Sequence, residues 1–307
     1  MTQVSLPSQT RNPAVDRPPA SDPGDGAALG TLHRIPGLAR HLTLAVLAAI
    51  SLFPCYYLLV NSLKSRGRFA DSQWDLPLSD LRWDNYGRAW DVVARPLLNS
   101  IVVVGVSVLA ILALAALTAY AFSVIRFPGH RIAYALTFVL LMVPSFLLLL
   151  PLYLQISNLP AIKTNLSGII LPSVAANLSF AVVVLKSAFD DLPRDVVDSA
   201  RIDGAGELRI LWSIVLPLCR PVLASVSIIQ FVALWNDYLL PQLVLAPQDR
   251  TVSVALVAFT GNPGQNSSPD FGPLMAGYVL AAVPLILLFS VLMRAYIEGL
   301  TSGATKL

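Results

Sequence analysis

Long apolar runs alternate with short polar segments along the chain, and their lengths predict membrane-spanning helices. Six runs cover about Leu42–Leu63, Leu98–Ile125, Ile132–Ile156, Leu166–Phe189, Pro221–Leu240 and Leu274–Ile297. Each is long enough to cross a hydrocarbon core ~30 Å thick, which takes about 20 helical residues. Because a helix satisfies its own backbone hydrogen bonds in lipid, the pattern predicts an all-α, polytopic membrane protein with six transmembrane helices.

The polar segments divide the chain into predicted regions. Residues 1–35 are rich in Pro, Ser, Asp and Gly, which predicts a disordered cytoplasmic tail. Residues 36–97 hold the first transmembrane helix and an outer loop. Residues 98–297 form the transmembrane core, with a charged cytoplasmic loop at 190–220, and residues 298–307 form a cytoplasmic C-terminal tail.

The distribution of basic residues predicts the orientation of the chain. Six spans place both termini on one side of the membrane, and 13 of the 21 Lys and Arg residues fall in segments on that side. Cytoplasmic loops are enriched in Lys and Arg, so both termini are expected in the cytoplasm.

Composition and charge exclude several functions. Hydrophobic residues make up 55% of the chain, charged residues make up 13%, and the net charge is +3, without a basic patch of the kind that binds nucleic acid. The histidines and cysteines lack metal-ligand spacing. The chain has no Gly-Lys-Ser/Thr sequence, so it has no P-loop and is expected to bind no ATP itself.

Polar amides within the spans are few: Asn99, Gln155, Asn177, Gln230 and Asn236. No Asp, Glu, Lys or Arg lies near the middle of a predicted span. Ion-coupled carriers usually need an intramembrane charge to bind the coupling ion, so this pattern argues against that mechanism.

The charged loop predicts two short helices joined by a glycine turn. Asp191 is expected to cap the first helix, which runs to about Asp203, and Gly204 is expected to end it in a left-handed conformation. A second helix is expected to begin near Gly206 or Glu207. Its apolar face is expected to contain residues at helical spacing, namely Leu208, Leu211, Ile214 and Val215.

Within this loop, an acid and two small residues (Asp198, Ser199, Ala200) precede Asp203-Gly204-Ala205-Gly206, and Leu216-Pro217 follows. The order resembles the coupling loop in the integral-membrane subunits of ABC importers. Asp198 replaces the more usual Glu, and Ser199 replaces the more usual Ala. Further stretches resemble the second, six-span permease of the maltose-type carbohydrate importers: Phe53-Pro54, Asn61-Ser62-Leu63-Lys64, Trp235-Asn236-Asp237-Tyr238, Pro284, and Gly299 to Lys306.

The resemblance covers residues from about 40 to 307 and implies a type I ABC importer transmembrane domain in a bacterial plasma (inner) membrane. It implies a permease without covalent chemistry that forms half of a sugar pathway. The implied partners are a second homologous permease, two copies of an ATPase subunit that bind ATP and Mg, and an extracytoplasmic solute-binding protein. The coupling loop would receive the motion of the ATPases.

The resemblance also suggests where ligands bind. Candidates for the sugar path supply amide, hydroxyl or aromatic groups: Asn99, Asn177, Trp235, Asn236 and Tyr238. Trp and Tyr at a span end are also common interfacial anchors. The polar tip of the Val244–Phe271 loop, with Asn262, Gly264, Gln265 and Asn266, is either a contact for the binding protein or a solvated linker.

Two other functions stay open. An importer of the same architecture for glycerol phosphate or another polar solute has the same pattern, although a phosphorylated solute favours basic groups along the path. An ion-coupled secondary transporter is the alternative from another class.

Overall fold

The computed structural model describes residues 37–75, 80–125, 127–159, 162, 165–259 and 270–304. All regular structure in these residues is helical, which confirms the predicted all-α class. The helices in chain order are α1 (Gly37–Ser62), α2 (Arg66–Asp71), α3 (Asp84–Tyr120), α4 (His130–Leu141), α5 (Leu149–Ser157), α6 (Ser167–Asp190), α7 (Arg194–Ile202), α8 (Glu207–Ile210), α9 (Leu216–Leu218), α10 (Arg220–Trp235), α11 (Leu239–Val244), α12 (Val252–Phe259) and α13 (Phe271–Ala304). Two π-helical turns, Ala121–Ile125 and Leu211–Val215, and two 3₁₀ turns, Ser145–Leu148 and Pro247–Asp249, also occur there.

The chain forms two compact units, Met1–Pro54 and Cys55–Leu307, and their boundary falls inside α1. The described part of the first unit is residues 37–54. From Leu42 to Pro54 this stretch carries no charged residue and is apolar on every side, as expected for a helix in lipid. The predicted tail of residues 1–35 lies outside the described residues.

Four helices in the described part of the chain are long and apolar enough to cross a membrane, namely Ala39–Ser62, Asp84–Ile125, Ser167–Asp190 and Phe271–Met293. Two bent pairs of helices bring the number to six if each pair is one span. The polytopic architecture is therefore confirmed. The last helix continues past the predicted span end at Ile297, so the predicted tail 298–307 is helical as far as Ala304.

The third predicted span, expected as one helix over Ile132–Ile156, is broken. Its two parts, His130–Leu141 and Ser145–Ser157, meet at an angle of 88°. The break contains Pro144, which has an extended backbone with ψ of 123°. Proline lacks an amide donor and disfavours a helical conformation in the preceding residue, so it accounts for the bend.

The fifth predicted span, Pro221–Leu240, is also interrupted. Helix α10 has 16 residues and ends at Trp235, and α11 starts at Leu239. At the end of α10 the side-chain amide of Asn236 donates to the carbonyl of Val232 (2.8 Å), and Pro241 offers no amide to continue the helix across the break. At its other end, α10 is bent by 81° from the Glu207–Leu218 segment.

The core of the second unit lies between α3 and α6. Helix α3 has 37 residues and is therefore about 55 Å long at about 1.5 Å per residue. Ala115 and Ala119 on α3 and Ala181 on α6 have no exposed surface. Small side chains allow the backbones of two helices to approach closely, so these alanines permit tight packing of the two helices.

At the N-terminal end of α3, one asparagine fastens the chain that leaves α1. The Asn85 amide donates to the carbonyls of Ser62 (2.8 Å) and Lys64 (2.9 Å). The Ser62 hydroxyl also hydrogen-bonds the Tyr86 hydroxyl at 2.8 Å. Ser62 and Lys64 have no exposed surface, so water cannot replace Asn85 as the partner of their carbonyls. Loss of these hydrogen bonds would therefore destabilise the folded state. We call Ser62, Lys64, Asn85 and Gly272 the α1–α3 clamp, since Gly272 of α13 closes it.

Replacing Gly272 by alanine is expected to destabilise the protein. A Cβ atom at this position would lie 2.5 Å from Asn85 Nδ2 and 2.5 Å from the Lys64 carbonyl oxygen. Since one of these atoms is backbone, the clamp must shift, at a cost of about 1–3 kcal/mol. The thermal unfolding midpoint of the purified protein, followed by tryptophan fluorescence, should fall.

Gly87→Ala is the matched control, because Gly87 lies in α3 and its Cβ would meet nothing within 4 Å. Its midpoint should stay the same or rise slightly, since alanine favours a helix over glycine by roughly 0.5–1 kcal/mol. Equal midpoints for Gly272→Ala and the unmodified protein would contradict the clamp.

Candidate functional site

The charged loop forms a helical hairpin, which we define as residues 194–218. Helix α7 ends in a Schellman motif, in which the Gly204 amide donates to the Arg201 carbonyl and the Ala205 amide donates to the Ala200 carbonyl, both at 3.0 Å. Gly204 has φ of 81°, the left-handed conformation that the sequence predicted. The second helix starts at Glu207 with Gly206 as its N-cap residue, also as predicted.

The start of the hairpin differs from the prediction. Pro193, and not Asp191, occupies the N-cap position of α7, and no side chain makes a capping hydrogen bond there. Asp191 instead is the C-cap residue of α6. Proline carries no amide hydrogen, and its ring fixes the φ angle. The chain therefore enters the first turn of α7 from a fixed φ angle rather than through a side-chain cap.

The base of the hairpin is buried in the main hydrophobic core. Val197 and Ala200 of α7, and Ile210, Leu211 and Val215 of the second arm, belong to the same cluster of buried residues as the core of α3 and α6. Leu208, which was predicted to face inward, is 65% exposed. The π-helical turn at Leu211–Val215 explains the change, because its wider turn brings residues five apart, such as Ile210 and Val215, to the same side.

A polar network joins the two arms of the hairpin to α3. Arg201 Nε donates to Glu207 Oε1 at 2.9 Å, and Arg201 Nη2 donates to Glu207 Oε2 at 3.2 Å. The Tyr120 hydroxyl donates to Glu207 Oε2 at 2.5 Å. Asp198 lies further from Arg201, at 3.4 Å. One carboxylate therefore holds α7, α8 and the end of α3 together, and we call Tyr120, Arg201 and Glu207 the hairpin triad.

The triad fixes the charge of Glu207. The Arg201 guanidinium and then the Tyr120 hydroxyl hold the pKa of the Glu207 carboxyl below its ordinary value, while partial burial opposes them. The same pairing raises the pKa of Arg201. A carboxyl with a lowered pKa stabilises the folded state where it is ionised, so its contribution is complete at neutral pH and is lost as the pH falls below about 4.3.

A small pocket lies beside the triad, with a volume of ≈160 Å³. Its polar lining pairs carboxylates with guanidinium groups, and its apolar lining comes from α6, α7 and the turn after α3. The lining residues are Ser123, Val124, Phe189, Asp190, Leu192, Arg194, Val197, Asp198 and Arg201. Ligand pockets for drug-sized molecules are typically about 300–1,000 Å³, so this pocket is too small for an oligosaccharide.

The predicted coupling residues all lie in the hairpin. The Asp198 side chain is largely exposed, Ala200 is buried, and the Ser199 hydroxyl donates to the Asp195 carbonyl at 2.6 Å. The remaining predicted coupling residues are Asp203, Gly204, Ala205 and Gly206 in the turn, and Leu216 and Pro217 in α9. The triad partners Tyr120 and Glu207 were not predicted. The sequence predicted Glu207 only as a possible start of the second helix, and nothing in the sequence connects it to Tyr120.

The predicted path residues fall into two groups. The Asn99 amide donates to the Arg250 carbonyl at 3.2 Å, and the neighbouring Ser100 hydroxyl accepts from the Val252 amide at 2.8 Å. The Ser253 hydroxyl then donates to the Asp237 carbonyl at 2.8 Å. Residues 250–253 therefore connect Asn99 with the helix break that contains Asn236 and Tyr238.

Asn177 belongs to the second group. Its carbonyl accepts from Gln230 Nε2 at 3.3 Å, and Gln230 Oε1 is buried without a hydrogen-bond partner. Trp235 is 4% exposed and stacks on Phe231, with ring centroids 5.3 Å apart, so its ring serves the core. Asn236 is exposed and Tyr238 is half-buried.

The predicted loop tip with Asn262, Gly264, Gln265 and Asn266 lies outside the described residues. The two flanks of this loop are held on α3. Arg95 pairs with Asp249 at 3.1 Å, and Arg88 pairs with Asp270 at 2.9 Å. The two arginines are seven positions apart, about two helical turns, so both flanks meet the same side of α3.

A multi-span helical bundle with a charged hairpin seated in its core is the fold of a membrane transport subunit. Comparison with known proteins makes the class specific. Residues 111–301 match the model of the family described as binding-protein-dependent transport system inner membrane component. The chain belongs to this family.

Relatives in the family resemble nearly the whole chain. The diacetylchitobiose uptake system permease protein NgcG of Streptomyces coelicolor is 34% identical over 303 residues, which is 95% of this chain and 99% of that protein. The melibiose/raffinose/stachyose import permease protein MelC of Bacillus subtilis is 32% identical over 269 residues, covering 86% and 95% of the two chains.

A solved structure shares the fold. It belongs to a bacterial ABC transporter involved in the import of the acidic polysaccharide alginate. The matched chain superposes with a TM-score of 0.73 and covers 86% of this chain and 97% of its own length. At 22% sequence identity this likeness shows the architecture alone.

Gly204→Val is expected to loosen the hairpin turn. The cost comes from backbone strain, because φ of 81° is unfavourable for a side chain with a Cβ and a Cβ at this site meets nothing within 4 Å. A penalty of about 1–2 kcal/mol corresponds to roughly 5–30-fold faster local opening. Hydrogen exchange at the amides of residues 204 and 205 should accelerate by this factor.

Gly206→Val is the matched control, since Gly206 has φ of −70° and ψ of 155°, which β-branched residues adopt readily. Its exchange rates should remain close to those of the unmodified protein. If Gly204→Val exchanges no faster than Gly206→Val, the turn does not depend on the left-handed glycine.

Proposed function

We propose that this chain is a permease subunit of an ATP-driven, binding-protein-dependent sugar importer and forms half of its translocation path. The observation that carries the proposal is the 34% identity, across 95% of the chain, to a permease named for diacetylchitobiose uptake. A relative named for import of melibiose, raffinose and stachyose supports the same substrate class.

The proposed assembly contains a second homologous permease, two ATPase subunits that bind ATP and Mg, and an extracytoplasmic solute-binding protein. The chain itself performs no covalent chemistry in this proposal. It lies in the bacterial inner membrane with both termini in the cytoplasm, as the distribution of Lys and Arg predicts.

We place the ATPase contact on the exposed side of the hairpin. Ile202 is 86% exposed, Leu208 is 65% exposed and Trp212 is 60% exposed. Large apolar side chains that protrude from a charged segment mark a protein-binding surface. The base of the same hairpin is buried in the core, so a partner that moves the exposed side also moves residues packed against α3 and α6.

We place the sugar contacts of this subunit at the break between α10 and α11. Non-helical backbone inside a predicted span is tolerated where it is buried in protein or lines a water-filled cavity, and not where it faces lipid. Asn236 is exposed at this break and Tyr238 is half-buried. Asn99 orients the adjoining 250–253 segment through its hydrogen bond to Arg250, while Asn177 lies deeper, beside Gln230.

The loop between Asp249 and Asp270 is proposed to meet the binding protein. Salt bridges to Arg95 and Arg88 fix its two flanks on α3, and its polar tip contains Asn262 and Gln265. Because both flanks are held on α3, we favour a contact role over that of a plain linker.

The function is tested by purifying the tagged chain in mild detergent, identifying co-purified subunits by mass spectrometry and reconstituting the complex in proteoliposomes. A second permease and a P-loop ATPase should co-purify. Uptake of labelled oligosaccharide should require ATP on the hairpin side and the binding protein on the other side.

Three outcomes separate the functions. Unchanged uptake in the presence of a protonophore, with ATP held constant, supports the ATP-driven importer. Uptake that collapses under the protonophore and ignores ATP would replace it with an ion-coupled carrier. ATP-driven uptake of glycerol phosphate without uptake of any sugar would retain the architecture and change the substrate.

Asn236→Ala should weaken sugar uptake. Loss of one hydrogen bond to substrate, typically about 0.5–1.5 kcal/mol, corresponds to a roughly 2–10-fold higher KM for uptake. Ser290→Ala is the matched control, because Ser290 is exposed on α13 and, like Asn236, bonds the carbonyl four residues earlier. A KM that changes equally in both variants would place Asn236 outside the path.

A further inference from the structure

The hairpin triad connects elements that could otherwise move independently. A Cβ at Gly204 would meet nothing within 4 Å, so no side chain packs over the outer side of the turn. The two-bond contact between Arg201 and Glu207 closes this turn from the side. Paired N–H···O bonds from a guanidinium to a carboxylate fix orientation as well as distance.

The Glu207 carboxylate also binds the helix bundle, through Tyr120 of α3. Tyr120 is the last residue of α3 before the π-helical turn, and it is 3% exposed. Its hydroxyl donates to Glu207 Oε2, while Glu207 Oε1 receives Arg201 Nε. Glu207 Oε2 also accepts from Arg201 Nη2, so this one oxygen joins α7 to α3, the longest helix in the described chain.

A second carboxylate binds the next turn of the same region. Asp190, at the end of α6, contacts Ser123 in the π-helical turn through one oxygen and Lys186 through the other. The two carboxylates therefore hold α3 and its following turn from two sides, Glu207 from the hairpin and Asp190 from α6. A displacement of the hairpin reaches α3 through Glu207, while Asp190 ties the turn to the bundle.

Apolar contacts alone would not transmit such a motion in a defined direction. The buried hairpin residues Val197, Ala200 and Ile210 pack in the core and move with it, but this packing is non-directional. The hydrogen bonds of Glu207 have fixed donors and acceptors, and bonds to a charged group are roughly twice as strong as neutral ones. Asp198 is a weaker alternative, at 3.4 Å from Arg201 and largely exposed.

We propose that Glu207 is a positioning residue that makes the two arms of the hairpin move as one body and transfers their displacement to α3 through Tyr120. This rests on the proposed function, in which an ATPase moves the hairpin. Glu207 touches neither substrate nor nucleotide in this proposal. Its effect is on the number of transport events per ATP hydrolysed, and not on assembly or on sugar affinity.

The test uses the complete reconstituted complex and measures uptake and ATP hydrolysis in the same proteoliposomes. Glu207→Gln and Tyr120→Phe should each keep the ATPase bound and lower the thermal midpoint of the complex by about 2–4 °C at most, as expected for the loss of roughly 1 kcal/mol. The ratio of sugar transported to ATP hydrolysed should fall about fivefold, as expected from roughly 1 kcal/mol of lost interaction. The KM for sugar should not change.

The double variant and the charge swap test whether Glu207 transfers motion to α3, which we call the joint, or only stabilises the fold. Because Tyr120 and Glu207 act in one chain of contacts, Tyr120→Phe combined with Glu207→Gln should lower the ratio no further than either change alone. Exchanging the charges, Arg201→Glu with Glu207→Arg, should restore only part of the ratio lost in Glu207→Gln, because the ion pair between the arms re-forms while the Tyr120 hydroxyl loses its carboxylate acceptor. Tyr278→Phe on α13 and Asp91→Asn on the far end of α3, both exposed, are the controls and should leave the ratio unchanged.

The outcomes distinguish the two proposals. If uptake by the unmodified complex is not driven by ATP, the proposed function fails. A second outcome is that uptake by the unmodified complex is driven by ATP while both Tyr120→Phe and Glu207→Gln keep the normal ratio of sugar transported to ATP hydrolysed. In that case the proposed role of Glu207 is wrong, and the proposed importer function stands. Loss of assembly in Tyr120→Phe, which removes a single oxygen atom, would also overturn the joint, because Glu207 would then act on assembly.

Discussion

The close packing of α3 against α6 is the contact on which the rest of the second unit depends. In lipid there is little hydrophobic driving force between helices, so association relies on close van der Waals contact and on buried polar bonds. Fully buried alanines on both helices allow that contact, and larger side chains such as Ile111 and Leu185 fill the space beside them. Both ends of α3 are then available to hold other elements.

Polar side chains at both ends of α3 bind other segments of the chain. At the N-terminal end, Asn85 binds backbone carbonyls of the segment that leaves α1, and Arg88 and Arg95 hold the flanks of the long loop. At the C-terminal end, Tyr120 binds the hairpin. The apolar middle of α3 carries no charge, which is consistent with a helix that supports a path for an uncharged solute.

Local signals in the sequence predicted the features that depend on neighbouring residues. Span lengths, the left-handed Gly204 and the start of the second hairpin helix follow from composition over short windows. Pro144 was visible, yet the sequence did not indicate a bend of 88°, because proline kinks vary with what packs around them. On the second hairpin arm, Leu211 and Val215 are buried as predicted, whereas Leu208 was wrongly placed on the inward face because a π-helical turn is set by tertiary contacts and not by helical periodicity.

Contacts between distant residues were beyond the sequence. Tyr120 and Glu207 are 87 positions apart, and Asn99 and Arg250 are 151 positions apart. From the sequence alone, a side-chain amide within a span is compatible with a ligand contact and with an anchor for the backbone. Only the fold shows that Asn99 anchors the backbone, at Arg250. The sequence predicted the hairpin as the site but not the residues that attach it to the bundle.

The attachment explains why the hairpin combines a soft turn with a rigid base. Ile202, the last residue of α7, is 86% exposed, as the proposed partner contact requires. Stabilising that exposed surface by burying it in the core would remove the partner's contact. Val215 and Glu207 fix the base of the hairpin and leave its exposed side available, and the hydrogen bond of Glu207 with Tyr120 attaches this base to α3. The hydrogen bond between Tyr120 and Glu207 lies at the C-terminal end of α3, beyond its uncharged middle.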